Sequence, residues 1–178
     1  MKNNKAYLAG GCFWCIDAAF RMVRGVERVA SGYTGGTLEN PTYEQVCSET
    51  TGHAEAVEIE FDQSVITYKQ ILEIFFSLHD PTTLNRQGND VGSQYRSAIF
   101  YLDEDQKKVA EDLLKEVNNI WDGKVVTELK ELTKFYPAED YHQDYFNKNP
   151  GNGYCQIVIN PKLDKFKKTY SKFLKLNK

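Results

Sequence analysis

No apolar run in this chain approaches the ~20 residues that a bilayer-spanning helix needs, so a helical membrane protein is excluded. The opening Met1-Lys2-Asn3-Asn4-Lys5 lacks the apolar core of a secretory signal, and a cytoplasmic setting is expected. Charge of one sign is also lacking: 22 basic against 25 acidic residues leave −3, which is no nucleic-acid footprint. Histidine is scarce, and His53, His79 and His142 are scattered. Cys47 and Cys155 form no second CxxC pair, so the ligand spacing of a zinc site is missing and no metal is expected. Four cysteines in 178 residues are not a disulfide scaffold. In a reducing compartment such cysteines are free, metal-bound or catalytic. There is no internal repeat, low-complexity segment or linker, and the length suits one core, so residues 1–178 read as a single domain.

What the chain does have is aromatic surface. Eleven Tyr, ten Phe and two Trp exceed what a core of this size requires, and some are expected to line a pocket. The most informative stretch is Gly10-Gly11-Cys12-Phe13-Trp14-Cys15. It follows the apolar run Ala6–Ala9, which reads as a strand, and precedes Ile16–Val23, with apolar residues at helical spacing. Cys12 is therefore expected where a strand turns through two glycines into a helix. Unpaired N–H groups and the positive end of the helix dipole favour a thiolate there and lower its pKa. Plain burial before a core helix is the simpler alternative.

Farther on, Val26–Tyr33 reads as a strand ending in a glycine-rich turn. Thr37–Thr51 reads as a long polar loop and Ala56–Phe61 as a cleanly alternating strand. Ser64–His79 reads as a helix with Thr67 and Gln70 placed for a capping box. A loop over Thr82–Gln94, a strand over Tyr95–Leu102 and a helix from an Asp103 cap to about Trp121 follow. Val125–Leu132 and Tyr154–Ile159 are expected as strands, and Pro161 opens a final basic helix. The pattern predicts an α+β fold in two layers, a mixed sheet with helices packed on it. The long loops 33–55, 80–95 and 135–155 are where function is expected.

Four chemistries compete for the cysteines. Zinc lacks its ligand spacing. Thioredoxin-like disulfide exchange uses CxxC at a helix start, but no cis-proline candidate faces it and the aromatics are unusual for it. A Cys–His hydrolase needs a base, for which His53 and His142 are the candidates. The fourth reading is a thiolate attacking an oxidised sulfur, with a second cysteine resolving the product. Phe13 and Trp14 suit it, since sulfur packs favourably against aromatic rings.

Successive blocks of the chain resemble one family in order and over nearly its whole length. They are GCFWC, GYTGG (Gly32 to Gly36), PTYEQVCS (Pro41 to Ser48), TGHAE (Thr51 to Glu55), NRQGNDVGSQYRS (Asn85 to Ser97) and PAEDYHQDY (Pro137 to Tyr145). The chain is thereby identified as a member of the type-A peptide methionine sulfoxide reductases. The resemblance implies a ferredoxin-like α+β two-layer sandwich. It also implies reduction of methionine S-sulfoxide, free or in proteins, with thioredoxin as external reductant and no bound cofactor. It places Cys12 as nucleophile and Glu55 as acid. Tyr43 and Tyr95 become hydroxyl donors to the sulfoxide oxygen, and Asp90 a carboxylate organising the pocket. Phe13, Trp14 and Tyr154 fall among the substrate-binding residues.

Chemistry agrees with those roles. Sulfoxide oxygen leaves only when protonated, and burial would keep Glu55 neutral near pH 7. Two resolving thiols remain open. Cys155 lies in Gly153-Tyr154-Cys155, which resembles the family's C-terminal loop. Cys15 stands where many members have glycine and is one helical turn from Cys12. Cys47 reads as structural, and Glu49 stands where glycine is frequent in the family. The chain is taken to act as a monomer. A non-catalytic thiol sensor, signalling through oxidation of Cys12, is the alternative from another class.

Overall fold

The computed structural model describes residues 4–175. Its centre is β1 (Lys5–Gly10), which pairs antiparallel on both sides. Leu8 lies opposite Val57 of β3 (Ala54–Phe61) and opposite Ile99 of β6 (Ser97–Tyr101). β3 also pairs with β2 (Val26–Thr34), and β2 with the short β8 (Phe135–Pro137). The sheet has six strands in the order β7-β6-β1-β3-β2-β8. Only β7 (Glu128–Glu131) joins in parallel, alongside β6. A separate hairpin pairs β4 (Arg86–Gln87) with β5 (Asp90–Val91).

Strand alternation sorts the side chains into two clusters. On one face Ala6, Leu8, Val57, Ile59 and Phe61 meet Phe20 of α1 (Phe13–Arg21) and Ile71, Leu72 and Phe75 of α3 (Tyr68–Leu78). On the other, Tyr7, Ala9, Ala54, Ala56, Ala98 and Phe100 form a smaller cluster against Leu102, Leu132 and Phe135. α4 (Glu104–Ile120) packs on α3, and α6 (Asn160–Thr169) on α1 and α3. The result is a mixed α+β fold, a six-stranded sheet with helices. No described helix is long and apolar enough to cross a membrane.

Local signals explain the helix starts. Thr67 and Gln70 form the expected capping box, and the Asp103 side chain accepts the Gln106 N–H at 2.8 Å. Loop 37–51 contains α2 (Tyr43–Cys47), started by a second capping box from Thr42 and Gln45. Its neck is closed by Thr37 N–H on the Thr51 carbonyl (3.0 Å), Gly36 N–H on His53 Nδ1 (3.1 Å) and His53 Nε2 against the Leu38 carbonyl (2.7 Å). Glu49 adopts the left-handed backbone, φ 61°, that glycine takes without strain. Its carboxylate accepts the Ser93 N–H at 3.3 Å, tying the loop to the turn at 93–95.

Two expectations are corrected, at 154–159 and at 125–132. Tyr154–Ile159 is not a strand: Cys155–Ile159 is a single π-helical turn running into α6. Its β-branched residues are absorbed into a helix whose Ile159, Leu163 and Phe166 are buried in the main core, so tertiary packing overrides local propensity. The strand expected at 125–132 is confined to Glu128–Glu131. The first helix begins at Phe13, so both motif aromatics belong to its first turn. α5 (Tyr145–Lys148) supplies the short helix in the aromatic segment after β8.

Candidate active site

β1 ends at Gly10, and Gly11 turns the chain with φ 96°. A Cβ on Gly11 would stand 2.7 Å from Gln87 Cγ, so the turn also needs the missing side chain. Cys12 is the N-cap of α1, with Phe13, Trp14 and Cys15 in the first turn. Beside it lies a cavity of about 220 Å³ lined by Cys12, Phe13, Trp14, Tyr43, Glu55, Asp90, Tyr95 and Tyr154. Residues singled out from four separate sequence blocks, and from the 153–155 loop, therefore meet at one place. Cys155 does not join them; it is 0% exposed at the start of the π turn.

Glu55 is the second residue of β3, opposite Tyr33 of β2, and is only 2% exposed. Its Oε2 accepts the Phe13 main-chain N–H at 3.1 Å. Burial pushes its pKa up to about 8; that hydrogen bond opposes the rise, and the charges of Asp90 and Cys15 add to it. The acid is protonated at neutral pH. Burial likewise raises the Tyr43 and Tyr95 hydroxyls well above their ordinary value, so both remain donors. The Tyr43 hydroxyl also shares a hydrogen bond with Cys47, and its main-chain N–H donates to Glu139 Oε2 at 3.1 Å. Tyr154 donates its hydroxyl to Asp90 Oδ2 at 2.6 Å, joining the π turn to the β4–β5 hairpin.

Cys12 and Cys15 share a side-chain hydrogen bond. Burial drives the Cys12 thiol well up, and the bond to Cys15 and the charge of Glu55 add to this; only the Trp14 main-chain N–H opposes. The bond from Cys12 lowers Cys15 instead, against burial. The helix-start expectation of a lowered Cys12 pKa is thus corrected: desolvation outweighs the few N–H groups of the first turn.

The apolar wall is braced from behind. The Trp14 indole stacks on Tyr145 (centroids 3.7 Å, planes 4° apart) and donates Nε1–H to His142 Nδ1 at 3.1 Å. Phe13 packs on Tyr33 and His142 at centroid distances of 5.8 and 5.0 Å. His53 is committed to the loop neck and His142 to the indole, so neither candidate base serves a Cys–His hydrolase. Glu139 and Tyr145 brace the pocket without having been assigned a role from the sequence, and His142 does so in place of the base role weighed for it; the signal of all three is their place in the block Pro137 to Tyr145.

A cavity that brings a cysteine and a buried acid together between aromatic walls fits the class of oxidoreductases. The chain belongs to the peptide methionine sulfoxide reductase family, whose sequence model matches residues 4–174. It is 56% identical over 172 residues, 97% of either chain, to the peptide methionine sulfoxide reductase MsrA of Saccharolobus solfataricus. Its fold is similar to that of reduced Mxr1 from Saccharomyces cerevisiae, with TM-score 0.79, 33% identity, and 85% of this chain and 88% of that one covered. It also resembles methionine sulfoxide reductase A of Corynebacterium diphtheriae, with TM-score 0.75, 34% identity, and 83% and 75% covered. The chain is therefore an enzyme of methionine sulfoxide reduction.

Proposed function

We propose that the whole chain acts as one monomeric catalytic domain reducing methionine S-sulfoxide, free or in oxidised proteins, through a cysteine sulfenic acid and an intramolecular disulfide. The observation that carries this is Glu55, kept protonated by burial and held beside Cys12 by the Phe13 N–H bond. Phe13 and Trp14 take the methyl group, Tyr43, Tyr95 and Glu55 take the oxygen, and Cys12 meets the sulfur. Fixing the methyl, the oxygen and the direction of attack on a pyramidal sulfur selects one epimer; the family resemblance says which. The Asp90–Tyr154 pair closes the pocket beside the wall.

Cys12, losing its thiol proton to solvent, bonds to the sulfoxide sulfur as Glu55 gives its proton to the sulfoxide oxygen. The hydroxyl then passes to Cys12 as the S–O bond and the new S–S bond break, so that Cys12 is left as sulfenic acid and methionine leaves. The Cys15 thiol condenses with the sulfenic acid; water departs and a Cys12–Cys15 disulfide remains. Cys15 is favoured as resolver because it already touches Cys12, whereas Cys155 is wholly buried. A thioredoxin dithiol reduces the disulfide by exchange and restores both protons. Sulfur carries the electrons throughout, so no resident cofactor or metal is required, and the cytoplasm suits the reductant. The connectivity β1-α1-β2-β3-α3-β6, with inner strand order β6-β1-β3-β2, supports the ferredoxin-like assignment.

A steady-state assay on the separated sulfoxide epimers with dithiothreitol tests the reading. Repeated turnover of the S epimer alone is expected. Activity confined to the R epimer overturns the assignment, and a halt after one equivalent favours the thiol sensor.

A further inference from the structure

Arg96 directly follows the turn Ser93–Tyr95, and its side chain is a buried cation, 8% exposed. The guanidinium reaches three segments. Nη1 donates to the Ser93 carbonyl and Nη2 to the Gly52 carbonyl, both at 2.9 Å. Nε donates to Glu128 Oε2 of β7 at 3.3 Å. Burying a guanidinium is costly unless its charge and its N–H groups are answered; here one carboxylate meets the charge and two main-chain carbonyls take the inner donors. The Ser93 peptide is held from both sides, because its N–H donates to Glu49 at 3.3 Å. Gly52 precedes the start of β3, where Glu55 stands, and Ser93 opens the turn that ends at Tyr95. Glu55 and Tyr95 line the same cavity, whereas Arg96 lies outside its lining.

We infer that Arg96 is a positioning residue for the reduction: by bridging the Ser93 and Gly52 carbonyls it sets the Tyr95 hydroxyl against the Glu55 carboxyl, so that both reach one sulfoxide oxygen. This role rests on the site reading above and adds the residue that spaces two of its proton donors. The sheet alone does not fix that spacing. β1 lies between β3 and β6, so Glu55 near the start of β3 and Tyr95 just before β6 are not on neighbouring strands. The pairing of β1 with β3 reaches only as far as Leu8 and Val57, and β1 then turns away through Gly11 to Cys12. The guanidinium spans the interval that this departure leaves. Lysine is no substitute, since one ammonium on a flexible stem has no planar fork to meet two carbonyls at a set separation.

The test is a mutant cycle on the full chain, read as the single-turnover rate of sulfoxide reduction. Tyr43 and Tyr95 can each cover for the other, so Tyr43→Phe is the starting background. Adding Arg96→Lys there should slow reduction about tenfold, short of the roughly 10²–10³ that outright loss of an oxyanion donor costs. Adding it to Tyr43→Phe/Tyr95→Phe should change the rate by no more than about twofold, because the hydroxyl it would displace is already gone. The fall in rate near pH 8 should keep its midpoint, since lysine retains the charge and Glu55 stays buried. Equal losses in the two backgrounds overturn the inference: Arg96 would then serve the fold at large. So does a Tyr43→Phe rate untouched by Arg96→Lys, or a midpoint that drops toward the ordinary carboxylate range, the mark of a wetted pocket. Should Arg96→Lys fail to fold, the parent decides. A fixed guanidinium gives slowly exchanging Nη protons in ¹⁵N-correlated NMR, and one that rotates freely overturns the inference. A parent that reduces no sulfoxide sinks the site reading; a failed cycle in an active parent sinks only the role of Arg96.

Discussion

The main-chain N–H of Phe13 donates to Oε2 of Glu55 at 3.1 Å, tying the first turn of α1 to the start of β3 across 42 residues of sequence. The bond aims a carboxyl group at the nucleophile and favours its charged form. Burial is the larger effect and keeps the acid neutral to about pH 8.

A pH dependence with a definite sign follows. Sulfoxide reduction under single-turnover conditions should fall as pH rises through about 8, where Glu55 loses its proton. Glu55→Gln should cut that rate on the order of 10²-fold or more, the range of a positioned general acid. Stability should fall with rising pH as well, beginning at lower pH. A folded-state pKa above the unfolded value of 4.5 means that the native protein loses stability as pH climbs from about 4.5 to about 8. Glutamine keeps the carbonyl that accepts the Phe13 N–H, so Glu55→Gln should be more stable than the parent at pH 8, by on the order of 1–2 kcal/mol in urea unfolding. A variant with full rate refutes the proton-donor role.

The resolver is read from one equivalent of substrate. Cys15→Ser should leave sulfenic acid on Cys12, trapped by dimedone and detected by mass. Cys155→Ser should form the Cys12–Cys15 disulfide to the extent of the parent. The opposite pattern assigns resolution to Cys155 and requires the π turn to open.

The loop that carries Tyr43 depends on a close backbone approach at Gly36. A Cβ there would fall 2.4 Å from both the Thr51 carbonyl oxygen and the His53 amide nitrogen. Neither is a flexible side-chain end. Gly36→Ala should destabilise the protein by about 2–3 kcal/mol, measured by denaturant midpoint, with the overpacked neck as the cause.

Asp17, 1% exposed in α1, receives Arg21 Nε at 2.7 Å and Nη2 at 3.0 Å, and the same Nε lies 3.2 Å from Asp144. Asp144 directly precedes Tyr145, the ring stacked on Trp14. Asp17→Ala should cost about 2 kcal/mol of stability, below the figure for a fully buried pair because Arg21 is part-exposed. The urea midpoint measures it.

Long periodic elements were legible in the sequence because their local preferences agree with their packing. β3 alternates in sequence, which puts Val57, Ile59 and Phe61 on the helix-covered face, and α3 and α4 start where Thr67 and Asp103 stand. α2 is not legible as a helix although Thr42 and Gln45 carry the same capping signature, since five residues show no period. The hairpin β4–β5, two residues a side, is below any pattern's reach. Glu49 was recognised as standing at a frequent glycine position, and its φ of 61° gives the physical reason. The cavity residues were named through motif blocks; their convergence, and the bracing by Glu139 and His142, arise only when β2, β3 and α1 bring distant segments together. The lowered Cys12 pKa expected at the helix start gives way to a raised one because helix-start polarity is visible in sequence and burial is not.

The π turn at Cys155–Ile159 carries one residue more than a regular helix needs. In an α-helix each residue advances the screw by about 100°. That supernumerary residue therefore sets the angular phase between α6, whose Leu163 and Phe166 are locked in the core, and Tyr154 at the turn's outer end. Deleting it would straighten the helix and swing the Tyr154 hydroxyl about a quarter-turn away from Asp90. The contact between these two residues of the cavity lining is thus clocked by a single irregularity in helical pitch.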